Sequence, residues 1–301
     1  MRSNSVWDDF KAYVWDSDNT LNKLIALNVA VFLLFGIFWL VLKLFTLDET
    51  LYIRVTGILS LPSSPKLFLY KPWTIITYQF MHSGIGHIFF NMLIFNFAGK
   101  IMREYLGDKK LLATYILGGI AGGVLYILSY SIFPMFNGQQ ADMVGASACI
   151  MAVLAAIGTL LPRYTVFIII IGPVQLVYIV IFLLAIDLLS ITASNSGGHI
   201  AHIGGMAWGF IYIKSLQIGT DLGAWLTRII DRAKVAFKPK SKLKMSYVND
   251  GYTRKESSKK SASHVSQEEI DAVLDKIAKS GYSSLSNREK EVLKRASKEE
   301  D

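Results

Sequence analysis

Val144-Gly145-Ala146-Ser147-Ala148-Cys149-Ile150-Met151 opens one apolar run of this chain, and Ala201-His202-Ile203-Gly204-Gly205 stands near the start of another. Both runs have the length and composition of helices hidden from water. Polar groups are costly in hydrocarbon, so a serine and a histidine near matching ends of two such helices need a reason. A nucleophile and its general base are one such reason.

The composition sets the context. The 301 residues are 52% hydrophobic and 18% charged, with a mean hydropathy of +0.39. That is too apolar for an ordinary soluble domain and fits a chain that crosses a membrane several times. The apolar residues fall within about 22–216, and the flanks are polar. The single cysteine, Cys149, excludes an intrachain disulfide and reads as a small packing residue. Asp8, Asp9, Asp16 and Asp18 precede the first apolar run, so no signal peptide is expected there.

A membrane span needs about 20 apolar residues. Six segments are read as spans: Leu24–Phe45, Gly86–Ile101, which is shorter and broken by His87, Asn91 and Asn96 but bounded like a span, Leu111–Phe133, Gly145–Leu161, Val174–Ile191 and His199–Leu216. Val166–Ile171 is apolar but stops at Gly172-Pro173, so it reads as a lead-in to the fifth helix. The expected fold class is an all-α membrane protein, a six-transmembrane-helix bundle with a small helical cytoplasmic tail. The expected divisions are an N-terminal segment (1–21), the six-helix domain (22–216), an amphipathic helix with a basic linker (217–265) and a helical hairpin (266–301).

Lysine and arginine in short connections set the orientation. Lys100, at the end of the second segment, and Arg103, Lys109 and Lys110 mark the second-to-third connection, Arg163 lies between the fourth and fifth, and Arg228 to Lys244 come after the last. These fall on one side if both termini are cytoplasmic, and the expected location is a cell membrane crossed several times. The second, fourth and sixth helices then start at the outer face. His87, Ser147 and His202 come to similar depth, since a helix rises only ~1.5 Å per residue.

Read alone, each motif has a plainer role. Ala148, Ala152 and Ala156 make a small-residue packing face around Ser147, and Ala201, Gly205 and Gly209 make another beside His202. A histidine near a helix end can be satisfied by interfacial water, and His199, one turn earlier, is a competing base. His87 and Asn91, four apart, share a helix face and could merely line a wet crevice. Their functional reading is a pair of donors for a developing oxyanion. The agreement in depth carries weight because charge counting set it, not the motifs.

Gly-Ala-Ser at a helix start, Ala-His-x-x-Gly-x-x-x-Gly at 201–209 and His-x-x-x-Asn at 87–91, in that arrangement, resemble the rhomboid family of intramembrane serine proteases, in its six-helix prokaryotic type. Lys71-Pro72-Trp73-Thr74 through Met81-His82 is similar to the run before that family's second helix. The resemblance implies a Ser147–His202 catalytic dyad without a third acid. It implies oxyanion donors from His87, Asn91 and the Ser147 backbone, and a close approach at Gly145. It implies transmembrane helices as substrates, with the fifth helix and the loop before the sixth moving to admit them, and neither cofactor nor metal. Two positions depart from the pattern. Ala148 follows the serine where glycine is common, and Thr74 follows Trp73 where arginine is frequent.

Asp187, in the outer third of the fifth segment, is a functional candidate because it is an acid at membrane depth. A triad role is conceivable, but the resemblance implies a dyad, and a protonated carboxyl or a hydrogen bond to a neighbouring helix is the plainer expectation. In the tail, Leu222, Trp225, Leu226, Ile229, Ile230 and Phe237 make an apolar stripe among basic residues, which reads as a helix lying on anionic lipid. Ser266…Glu269 and Ser286…Glu289 are capping-box patterns, and Gly281 suits a helix C-terminus. Nine acidic against seven basic side chains in 266–301 exclude a nucleic-acid-binding hairpin. Two rival readings remain: a catalytically silent relative that binds transmembrane helices, and a transporter or channel, which would carry its polar residues at mid-depth.

Overall fold

A computed structural model describes residues 19–45, 49–237 and 267–299, with Ser5, Trp7 and Lys11. The chain divides into two units, Met1–Pro239 and Lys240–Asp301. In the first, α1 (Thr20–Phe45) and α2 (Thr50–Leu59) lead to the two-residue strand β1 (Leu61–Pro62). The short helices α3 (Pro65–Tyr70) and α4 (Thr74–Thr77) follow, then the long α5 (Ile85–Ile132), strand β2 (Asp142–Met143) and α6 (Ser147–Leu160). Strands β3 (Thr165–Ile168) and β4 (Gly172–Gln175), then α7 (Leu176–Ser190), α8 (Ser196–Gln217) and α9 (Ala224–Phe237), complete the unit.

The architecture is all-α apart from two short antiparallel pairings, β1 with β2 and β3 with β4. Helix α5 covers the second and third apolar segments and is broken between them at Gly107, whose φ of 80° and ψ of 170° are non-helical. A positive φ favours glycine, so the break falls where the sequence permits it. Among the described helices, α1 and α5 are long and apolar enough to cross a membrane; α2, α6 and α7 are shorter apolar helices.

The core is built on α6. Its Ala148, Cys149, Ala152, Val153, Ala156 and Ile157 are buried. The small-residue stripes face each other: a methyl added at Gly205 would run into the Ala148 carbonyl, and one at Gly209 into that of Ala152. Backbone-to-backbone contact of this kind is what small-xxx-small stripes permit. By contrast α1 turns most of its surface outward, with Leu33, Leu34, Ile37, Leu44 and Phe45 exposed. It is anchored where Asn28 Nδ2 donates to Tyr115 Oη at 3.1 Å and where the Thr20 N–H donates to Asp108.

One expectation is corrected. Residues 166–171 are no lead-in to a helix starting at Val174; they form a hairpin, with Val166 opposite Val174 and Ile168 opposite Gly172. The chain reverses at Gly172, where φ is 90°, and the helix begins at Leu176, whose N–H donates to Tyr164 O at 2.9 Å. Val166-Phe167-Ile168 is β-branched and aromatic, which suits a strand, and Pro173 is disfavoured beyond the first turn of a helix.

In the second unit, α10 (Gln267–Ser280) and α11 (Asn287–Glu299) form a helical hairpin. Gly281 turns the chain at φ 76°. The Ser286 N–H donates to Glu289 Oε2 at 2.7 Å and the Glu289 N–H to Ser286 Oγ at 3.4 Å, a reciprocal cap. Lys276 ties α10 to the same carboxylate at 2.8 Å. Val273 and Leu285 are buried. Ser266, the cap expected for the first helix, lies outside the described residues.

Candidate active site

Ser147 is the first residue of α6. The loop before it is held on both sides. The Gly145 N–H donates to Tyr78 O at 3.0 Å, and Met143 pairs with Leu61. Gly145 has φ 140°, and a side chain there would meet His87 Cε1 at 2.9 Å, His87 Nε2 at 3.1 Å and Ser147 Oγ at 3.5 Å. Glycine therefore lets the loop pass between the histidine ring and the serine hydroxyl, bringing both to one point.

His87 enters from the first turn of α5. Its Nδ1 is 3.0 Å from Ser83 Oγ, and its ring meets His82 edge-on at 5.1 Å between centroids. Asn91, one turn deeper, is 7% exposed, and its Nδ2 has no partner among the described residues. A buried amide N–H without an acceptor costs free energy and stands ready for one.

His202 comes from α8, which begins at Ser196 and not at His199 as the sequence implied. The histidine is thus nearly two turns inside the helix. Gly205, one turn further, presses on the Ala148 backbone, which fixes α8 sideways against the start of α6. The His202 Nδ1 is 2.9 Å from Asp187 Oδ1, and His199 Nδ1 is 2.8 Å from the same oxygen. Asp187 is thus hydrogen-bonded to the neighbouring helix α8. Its Oδ2 is buried and without a partner among the described residues.

Ser147, His202, His87 and Asn91 all line one cavity of about 980 Å³, with Tyr130 and Phe136 on its wall. No hydrogen bond joins Ser147 Oγ to His202 among the described residues; both line the same cavity. His199 lies outside its lining. The sequence reading left out Ser83, four residues before His87, and it gave His82 no role. Ser83 lies before the first turn of α5, so helical spacing gives no signal for its contact with His87.

Asp187, His199 and His202 bring possible metal-ligand atoms within 4.8 Å of one another. Those atoms are already engaged as one acceptor and two donors, so ordinary hydrogen bonding accounts for the cluster.

Comparison with known proteins gives two matches to families. Residues 70–217 match the Rhomboid domain, and residues 259–299 match a family of unknown function, DUF6576. Among similar proteins is the RHOMBOID-like protein 12, mitochondrial, of Arabidopsis thaliana, 33% identical over 145 residues, which are 44% of this chain and 43% of that one. Another is the presenilin-associated rhomboid-like protein, mitochondrial, of Bos taurus, 28% identical over 222 residues, 70% of this chain and 51% of the relative. A third is the inactive RHOMBOID-like protein 8 of Arabidopsis thaliana, 29% identical over 82 residues, 27% of this chain and 23% of that one. The chain spans about half the length of the first curated relatives it matches.

Proposed function

The chain belongs to the rhomboid family through residues 70–217, and on that premise we propose that it is an intramembrane serine endopeptidase with Ser147 as nucleophile and His202 as general base. The observation that carries the reading is the single cavity shared by Ser147, His202, His87 and Asn91. His202 takes the proton of Ser147 Oγ as the oxygen attacks the scissile carbonyl, and returns it to the leaving amine. The developing oxyanion is received by the Asn91 amide, the His87 ring and the Ser147 backbone N–H. The chemistry so written calls for no metal and no cofactor.

The substrate is a transmembrane segment that unwinds near one face of the bilayer. An extended strand has unpaired backbone groups, tolerated at that depth only inside protein or beside water. Gly or Pro near the cleaved bond, which weaken a helix, should favour cutting. In this reading the six apolar segments all span, with residues 86–106 and 108–132 of α5 as separate spans. Both termini are cytoplasmic, and the site opens to the opposite face of a cell membrane. Helix α9, with Trp225 and Ile229 exposed and Arg228 and Arg232 beside them, lies on anionic lipid.

A second reading, a silent binder of transmembrane helices, draws on the inactive relative. Reconstituted protein offered transmembrane segments with and without a Gly-Pro step separates the two. The protease reading expects cleavage that disappears in Ser147→Ala; cleavage at the same rate in that variant would sink it.

A further inference from the structure

We infer that Asp187 is a positioning residue for His202, which fixes the tautomer and orientation of the general base in the pair described above. The inference rests on the protease reading. It starts from an anomaly in α7. Tyr178, Ile181, Phe182, Leu188 and Leu189 of that helix are exposed, as suits a helix facing lipid. Of its residues only Leu176 and Asp187 are buried, and Asp187 is 4% exposed. A buried carboxylate is costly unless a donor meets it. An apolar residue would serve packing on α8 without that cost.

The geometry says what the carboxylate does. Oδ1 accepts from His202 Nδ1 at 2.9 Å. A neutral imidazole carries one proton, so a proton held on Nδ1 leaves Nε2 bare. Nε2 is then the nitrogen that takes the proton from Ser147 Oγ. Once it has done so, imidazolium and carboxylate form a charge-assisted hydrogen bond, and the carboxylate itself gains no proton.

The other groups facing His202 do not supply this. His87, on α5, stands across the cavity and is engaged through Nδ1 with Ser83. His199, on the same helix as His202, shares Asp187 Oδ1 at 2.8 Å but lies outside the cavity lining. It is a second donor to the carboxylate.

The test combines a rate with a spectrum. Detergent-solubilised full chain is labelled with a fluorophosphonate probe, and the maximal rate is separated from the probe concentration giving half that rate. The variants are Asp187→Asn, which keeps the side-chain volume, Asp187→Ala and His199→Gln. In parallel, 15N-histidine spectra, with His202→Ala for assignment, report which ring nitrogen of His202 is protonated. We expect both Asp187 variants to lose about 10²-fold in maximal rate, the cost of a small misplacement of a catalytic group, with the half-maximal concentration unchanged. We expect Nδ1–H in wild type and a shift towards Nε2–H in Asp187→Asn. His199→Gln, which leaves the His202 bond intact, should label at close to the wild-type rate. If Asp187 merely clips α7 to α8, His199→Gln should lose rate as Asp187→Asn does, and that would overturn the inference. Equal rates in wild type and Asp187→Asn, or an unchanged tautomer, would overturn it as well. Failure of the wild type to label at Ser147 would remove the protease reading itself.

Discussion

Gly205→Ala should be far more damaging than one methyl group suggests. An added Cβ at Gly205 falls on the Ala148 carbonyl oxygen, with the carbonyl carbon at 2.9 Å and the Ala148 Cα at 3.3 Å. All three are backbone atoms, so no rotamer change relieves the collision. Carbon and oxygen approach to about 3.3 Å at best, so α8 must withdraw from α6 by on the order of 1 Å. Overpacking of this kind costs about 1–3 kcal/mol of stability. The same displacement separates His202 from Ser147, and a shift of that size can lower the rate about 10²-fold. Gly36→Ala, inside α1, is the control, because nothing lies within 4 Å of its added methyl; it should be no less stable than wild type and gain up to about 1 kcal/mol from helix propensity. The assay is the rate of fluorophosphonate labelling beside the thermal unfolding midpoint, in one detergent. Gly205→Ala protein with wild-type labelling and midpoint would refute the claim that this contact aligns the two helices.

Two other outcomes are expected. Asn91→Ala removes a candidate oxyanion donor and should lower kcat about 10²–10³-fold with KM little changed; a change confined to KM would contradict that role. In the tail, the Lys276 ammonium, then the Ser286 N–H and hydroxyl, hold the Glu289 carboxyl at about 2, below its ordinary 4.5. A depressed carboxyl stabilises the hairpin above the ordinary value and loses that contribution as pH falls through the folded one. The pair is exposed, so the contribution is small; circular dichroism of the full chain should show a slight fall in helix signal between pH 4.5 and about 2, and Glu289→Gln should lack that step.

Much of the site's arrangement is readable in the sequence because it rests on local patterns. The stripes Ala148-Ala152-Ala156 and Ala201-Gly205-Gly209 announce a close helix contact, and Ser147 and His202 sit beside them. The four-residue spacing of His87 and Asn91 places both on one helix face. What stays hidden depends on tertiary register. Helix α7 is apolar all round, so its sequence does not say which side meets α8 or that Asp187 reaches two histidines at once. The β3–β4 hairpin is hidden for another reason: a short apolar run reads equally as strand or helix until its ends are placed. At Gly145 the resemblance implies a close approach, but only the φ of 140° and the nearness of His87 say what approaches.

The most direct test of the central claim is the mass of the protein after reaction with a fluorophosphonate, with the modified residue mapped by peptide sequencing. The account predicts one adduct, on Ser147, absent in Ser147→Ala and formed about 10²–10⁴-fold more slowly in His202→Ala. An adduct on another residue, or one formed at wild-type rate in His202→Ala, would contradict it.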